Sequence, residues 1–153
     1  MSDLRMIGAW SLALFFCLAL GHAVGDEVKP VVKFGTLVIE FDGLPNDKGE
    51  VLVGLYNDPK KFPKENQAMH NLKGKPSKKK CVIKAMKLPY GAYGIAAMHD
   101  ENKSGNMDYN LIGLPKEIYG FSNNKRPVFG PPGFKACRFV IDKPVVNIKI
   151  TLK

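Results

Sequence analysis

The chain has 153 residues, 45% of them hydrophobic, with 23 Lys and Arg against 14 Asp and Glu and a formal net charge of +9. That length accommodates one domain with a single core, and the lack of internal repeats or low-complexity tracts excludes a repeat array. The positive charge suits anionic partners, but the basic residues are dispersed and no aromatics interleave with Lys78-Lys79-Lys80, which argues against a nucleic-acid groove.

Residues 1–23 read as a secretory signal peptide. Arg5 is offset by Asp3, and Ile7–Leu20 is an uncharged apolar run of 14 residues. Gly21-His22-Ala23 then places small residues at −3 and −1 of a cleavage point. The run is short for a bilayer span, so an uncleaved anchor is the lesser alternative. Cys17 follows Phe15-Phe16 rather than small residues, which argues against lipid attachment. The expectation is an exported protein, periplasmic or extracellular, with no transmembrane segment after cleavage. Residues 24–153, about 130 in all, then form one domain, expected to be monomeric.

The mature chain alternates as strands do. After a polar lead-in over 26–32, Leu37, Ile39 and Phe41 share a face, and so do Val51, Val53 and Leu55. The turn residues from Gly43 to Gly49 predict a hairpin between these two strands. Asn57 to Lys80 is a polar crossing in which Lys64–Leu72 is expected to form one or two helical turns. Cys81–Met86 and Ala92–Met98 are predicted strands, joined as a second hairpin by Lys87-Leu88-Pro89-Tyr90-Gly91. Residues 99–133, rich in Gly, Pro, Asn and Asp, form a long loop with too much apolar surface to be a solvated tail. Cys137–Ile141 and Val145–Leu152 complete six or seven strands, with Val146, Ile148, Ile150 and Leu152 facing inward. The fold class is all-β: a single antiparallel β-sandwich of about seven strands with one long ordered loop.

Two cysteines remain after the leader is removed. Cys81 and Cys137 sit on the apolar parity of their strands, and an exported compartment permits a bridge. A disulfide between them is expected, closing more than fifty residues and contributing about 3–4 kcal/mol in the chain-entropy model. The alternative is two buried thiols.

The segment Leu88-Pro89-Tyr90-Gly91-Ala92-Tyr93-Gly94-Ile95 resembles the L-P-x-G-x-Y signature of prealbumin-like sandwiches, including carboxypeptidase regulatory-type domains. In it Pro89 sets φ for a turn, Gly91 is expected at positive φ, and Tyr93 packs inward with Ile95. The order G-x-Y, H-D-x-N (His99 to Asn102), G-x-P (Gly113 to Pro115), G-x-S-N-N (Gly120 to Asn124) and P-x-F (Pro132 to Phe134) is similar to the domain of unknown function 2141 family of exported bacterial proteins. The resemblance runs from about Gly35 to Leu152. It implies a single exported sandwich domain and no particular activity.

Within the loop, Asp100, Asn102, Ser104, Asn106 through its carbonyl, and Asp108 follow the first nine positions of an EF-hand-type calcium loop. Position twelve is Leu111 instead of a bidentate acid, so calcium binding would be weak unless Glu117 or Asn110 folds in. The competing reading is an Asx-rich turn. His99 beside Asp100 is not a dyad, because neighbours on a strand point to opposite faces. Ser122 lacks a nucleophile-elbow context, and His70 and His99 are too few for zinc. The expectation is therefore no enzymatic activity. Tyr119, Phe121, Asn123, Asn124 and Arg126 are the candidate binding residues: aromatic faces beside amides and a cation suit an envelope glycan or protein partner. Against that, the aromatics could plug the sandwich while the asparagines take left-handed turns. The leading reading is an envelope binding or adaptor module using the 99–133 loop. A calcium-stabilised structural sandwich is the alternative, and a hydrolase a distant third.

Overall fold

A computed structural model describes residues 31–128 and 130–153. The leader read over 1–23, most of the polar lead-in, and Phe129 lie outside the described residues. The strands are β1 (Phe34–Asp42), β2 (Glu50–Tyr56), β3 (His70–Gly74), β4 (Cys81–Pro89), β5 (Gly91–Asp100), β6 (Tyr119–Phe121), β7 (Phe139–Ile141) and β8 (Val145–Thr151). A 3₁₀ turn (Ser122–Asn124) follows β6, and a one-turn helix α1 (Phe134–Cys137) precedes β7.

The strands form two facing sheets. One has the order β4-β1-β8; the other runs β3-β2-β5-β6, with β7 pairing to the opening residues of β5. The fold is the expected all-β sandwich. One pair departs from the antiparallel rule: β8 lies parallel to β1, with Ile39 opposite Ile148.

The alternating residues meet between the sheets. Leu37, Ile39, Phe41, Val51, Leu55, Ile95 and Ile150 are fully buried. Each strand contributes every second side chain to the shared layer, as the pleat requires.

Both expected hairpins are corrected. β1 pairs with β4 and β8, while β2 pairs with β3 and β5, so the Gly43–Gly49 turn carries the chain from one sheet to the other. β4 and β5 likewise belong to different sheets, and the chain changes sheet at Tyr90. Gly91 does not have positive φ; that conformation falls on Lys87 (φ 56°). Alternation identifies a strand's buried face but not its neighbour, because a facing strand and an adjacent one bury the same parity.

The crossing between β2 and β4 contains turns and β3 rather than a helix. β3 is an edge strand, polar apart from the half-buried Leu72, and so carries no apolar alternation.

The expected disulfide is also corrected: Cys81 and Cys137 are both free and buried. Cys81 packs in the main core, where a Cβ placed on Gly74 would stand 2.7 Å from its Sγ. Cys137 ends α1, off the strand parity assigned to it, and belongs to a second cluster with Tyr56, Phe62, Phe121 and Phe134. This cluster covers one end of the outer face of the five-stranded sheet, and its Phe62 ring meets Tyr56 and Phe134 edge-on at 5.2 and 5.7 Å. Gly94 makes room for it, since a Cβ there would lie 3.1 to 3.2 Å from the Phe134 and Phe62 rings.

Candidate functional site

The outer face of a sandwich sheet is formed by the off-parity residues of its strands. On β2 and β5 these include Leu52, Gly54, Ala96 and Met98, joined by Tyr119 and Phe121 from β6. The aromatic cluster covers the Gly94 end of this face. The rest is the floor of a groove of about 880 Å³, bordered by the loop over residues 101–118 and by Pro127, Gly130 and Pro131. The Glu50–Lys73 ion pair (3.3 Å) and Asn71 lie along its β2–β3 side.

The long loop is not one piece. β5 continues through His99 and Asp100, and β6 with its 3₁₀ turn divides the remainder into 101–118 and 125–133. Asp100 is buried; one oxygen accepts the Ser104 N–H at 3.0 Å and the other the Gly105 N–H at 2.8 Å. Asn102 Oδ1 also accepts from Ser104 N–H, and its Nδ2 donates to Asp108 at 2.7 Å. Ser104 Oγ donates to the Asn106 carbonyl at 2.9 Å. The five residues read as a calcium loop are thus brought together, knitted as an Asx-rich turn. Glu117 folds in as well: its Oε2 accepts the Asp108 N–H at 3.4 Å, while its Oε1 is buried without a partner among the described residues. Burial, reinforced by the nearby charges of Asp100 and Asp108, raises the Glu117 carboxyl above the ordinary carboxylate range.

His99 is wholly buried under this loop. Its Nε2 bonds the Lys48 carbonyl at 2.7 Å, and Nδ1 lacks a hydrogen-bond partner among the described residues, with Glu101 Oε1 3.9 Å away. Gly49 allows the close approach, since a Cβ there would stand 1.9 Å from the Asp100 carbonyl oxygen.

The candidate binding residues separate into two groups. Tyr119 and Phe121 line the groove, whereas the asparagines hold the chain together. Asn123 and Asn124 adopt left-handed conformations (φ 58° and 51°). Asn123 Nδ2 donates to the Ala136 and Arg138 carbonyls. Asn124 Nδ2 donates to the Lys149 carbonyl and its Oδ1 accepts the Thr151 N–H, so it occupies the open edge of β8. Arg126 is exposed beside Pro127. Ser122 Oγ accepts from Ile95 N–H and donates to the Cys137 carbonyl.

Lys78 and Lys79, also left-handed, donate their backbone N–H groups to Asp47 at 2.9 and 2.6 Å. The lysine triplet is therefore a turn wrapped around a carboxylate.

Leu52 and Met98 joined the floor without any sequence expectation. The available signal was apolar residues at the polar parity of β2 and β5, which marks a second covered or occupied face.

A family model described as "Uncharacterized protein conserved in bacteria (DUF2141)" matches residues 39–149. No curated protein and no solved structure matches the chain.

Proposed function

The chain belongs to the DUF2141 family, and we propose that it is an exported, non-catalytic binding module of the cell envelope, its ligand held in the groove on the five-stranded sheet. One observation carries this reading: Leu52, Met98 and Tyr119 make an apolar floor with polar groups, Asn71, Asn106 and the Glu50–Lys73 pair, along its borders. A flat apolar surface with directional polar neighbours suits a glycan or an extended peptide. Export, to the periplasm or beyond, rests on the leader pattern in residues 1–23. The burial of His99 and the engagement of Ser122 Oγ support the non-catalytic part.

Amide shift mapping with peptidoglycan fragments, chitooligosaccharides and Pro-rich peptides tests the groove. Perturbation of Leu52, Met98 and Tyr119, lost in Tyr119→Ala at unchanged melting temperature, is expected. Shifts confined to β4-β1-β8, or none with any probe at millimolar concentration, would overturn it.

Glu117 favours a second reading, a calcium-stabilised sandwich. Its buried, unpartnered Oε1 beside Asp100 and Asp108 supplies the acid that the loop lacks at position twelve. Asp100, Asn102, Ser104, the Asn106 carbonyl, Asp108 and Glu117 would offer hard oxygen donors of the kind calcium takes, although among the described residues no group of three or more Asp, Glu, His or Cys side chains stands ready to hold a metal ion. The Asp100 oxygens that accept N–H bonds keep lone pairs free for a cation. Calcium at about 100 times its dissociation constant should add about 2.7 kcal/mol. No melting shift up to tens of millimolar, relative to chelator, would reject this reading.

A further inference from the structure

We propose that the turn over residues 109–114 is a membrane-insertion tip that enters the headgroup–acyl boundary of an anionic bilayer. Tyr109, Gly113 and Leu114 of this turn also border the groove; the exposed Leu111 and Ile112 do not line it, and insertion needs no groove ligand.

The turn carries four apolar side chains and no charge: Tyr109, Leu111, Ile112 and Leu114. Leu111 is fully exposed at the apex, and Ile112 is 78% exposed. Adjacent exposed apolar residues on a rigid turn are costly in water unless something covers them.

The backbone of the tip is prepared to leave water. Asn110 Oδ1 accepts the N–H groups of Ile112 (3.1 Å) and Leu114 (2.9 Å). The Gly113 N–H bonds the Asn110 carbonyl at 3.0 Å, and the Asn110 N–H bonds the Leu114 carbonyl at 2.9 Å. Four of the five N–H groups from 110 to 114 are thereby engaged inside the turn. An unpartnered N–H is what makes irregular backbone expensive in hydrocarbon. Gly113, at φ 78°, permits this tight closure.

Charge selects the partner. Exposed Lys103 and Lys116 lie on the two sides of the turn in sequence, whereas Asp108, bonded to Asn102, and Glu117 are half-buried; Arg126 and the exposed Val128 belong to the 125–133 segment. None of these cations is paired with a carboxylate among the described residues, and the chain carries +9 overall. An apolar tip on a chain of net positive charge, with exposed lysines on either side of it in sequence, fits an anionic lipid surface, where buried apolar area and headgroup attraction act together. A protein partner needs about 800 Å² per side, far more than a six-residue convex turn presents.

The test uses the chain from residue 24, which contains every residue of both cores. It lacks tryptophan, because Trp10 is the only one in the sequence, so Ile112→Trp is a unique reporter. With phosphatidylglycerol–phosphatidylcholine vesicles its emission should shift to the blue and be quenched by brominated acyl chains. Phosphatidylcholine alone should give neither. In sedimentation with the mixed vesicles, Leu111→Asp and Ile112→Asp should each lower partitioning about tenfold. Lys103→Glu with Lys116→Glu should lower it too. All these variants should melt like the wild type, because the altered side chains are exposed. Failure to bind the mixed vesicles would overturn the proposal. So would binding with unshifted emission, or binding that survives both aspartates. If the aspartate variants instead abolish self-association of the free protein, the tip is a contact between copies and the lipid proposal falls.

Discussion

The hydroxyl of Tyr93 donates to the carbonyl oxygen of Pro89 at 2.7 Å, spanning the point where the chain leaves one sheet and enters the other. Tyr93 is buried with its ring against Phe139, and the intervening Tyr90 N–H bonds the Lys33 carbonyl at 2.8 Å. The P-x-G-x-Y pattern is therefore a corner, pinned by a side-chain hydroxyl four residues along. Tyr93→Phe keeps the ring and removes the pin. It should cost about 1 kcal/mol and lower Tm by about 4 °C. Differential scanning calorimetry would check it; an unchanged Tm would mean that the corner holds by packing alone.

Ser122 is the larger test of how the loop is held. Its buried hydroxyl links the Ile95 N–H of β5 to the Cys137 carbonyl at the end of α1. Ser122→Ala leaves both groups without a partner and should cost about 2–5 kcal/mol. Asn124→Ala, which frees the edge of β8, should cost about 1 kcal/mol. Urea unfolding should rank the two in that order, whereas ligand binding by the folded fraction should be unchanged in Asn124→Ala.

Glu117 ties stability to pH. With its folded pKa raised chiefly by burial, the native state holds the proton more tightly than the unfolded chain does. That contribution is complete below the unfolded carboxylate value and is lost as pH rises through the raised folded value. Without calcium, the wild type should thus lose stability across this window relative to Glu117→Gln. Calcium requires the ionised carboxylate, so its stabilisation should grow as pH rises through the same window and vanish in Glu117→Gln. Melting curves with calcium and with chelator, taken on both proteins across acid to neutral pH, separate the two effects.

The cysteines should behave as inert thiols. Burial pushes Cys137 up to about 11 and raises Cys81 as well. In the native protein neither should react with a disulfide reagent at about pH 8. With the chain from residue 24, which retains two of the three cysteines, two thiols should appear in denaturant without reductant, and reductant should leave Tm unchanged. Recovery of no thiols on unfolding would restore the bridge.

Much of this architecture was legible along the chain. Leu37, Ile39 and Phe41, then Val51, Val53 and Leu55, then Val146, Ile148, Ile150 and Leu152 were each assigned to one face; all are buried except Ile148, which is half-buried against the core. The association of Asp100 to Asp108 follows from side chains that bond their own neighbouring backbone, which is again local chemistry, and the left-handed Asn123 and Asn124 take a conformation that asparagine tolerates.

The rest depended on partners far apart in sequence. Pairing is one such case: β1 lies beside β8, more than one hundred residues later, although β2 follows it after a turn. Both cysteines are expected at an apolar strand parity, but Cys81 opens β4 while Cys137 ends α1, and they fall into separate clusters. Asn124 had the composition of a ligand contact until the Lys149 carbonyl and Thr151 N–H were found to occupy its amide. Glu117 completes the acidic loop only because the chain returns to Asp108 nine residues on. By itself the sequence determined which residues turn inward, because alternation is written into the pleat of each strand. Which strand, thiol or amide each residue meets was decided by the tertiary structure, because two sheets that bury the same parity become distinguishable only once the chain has crossed between them.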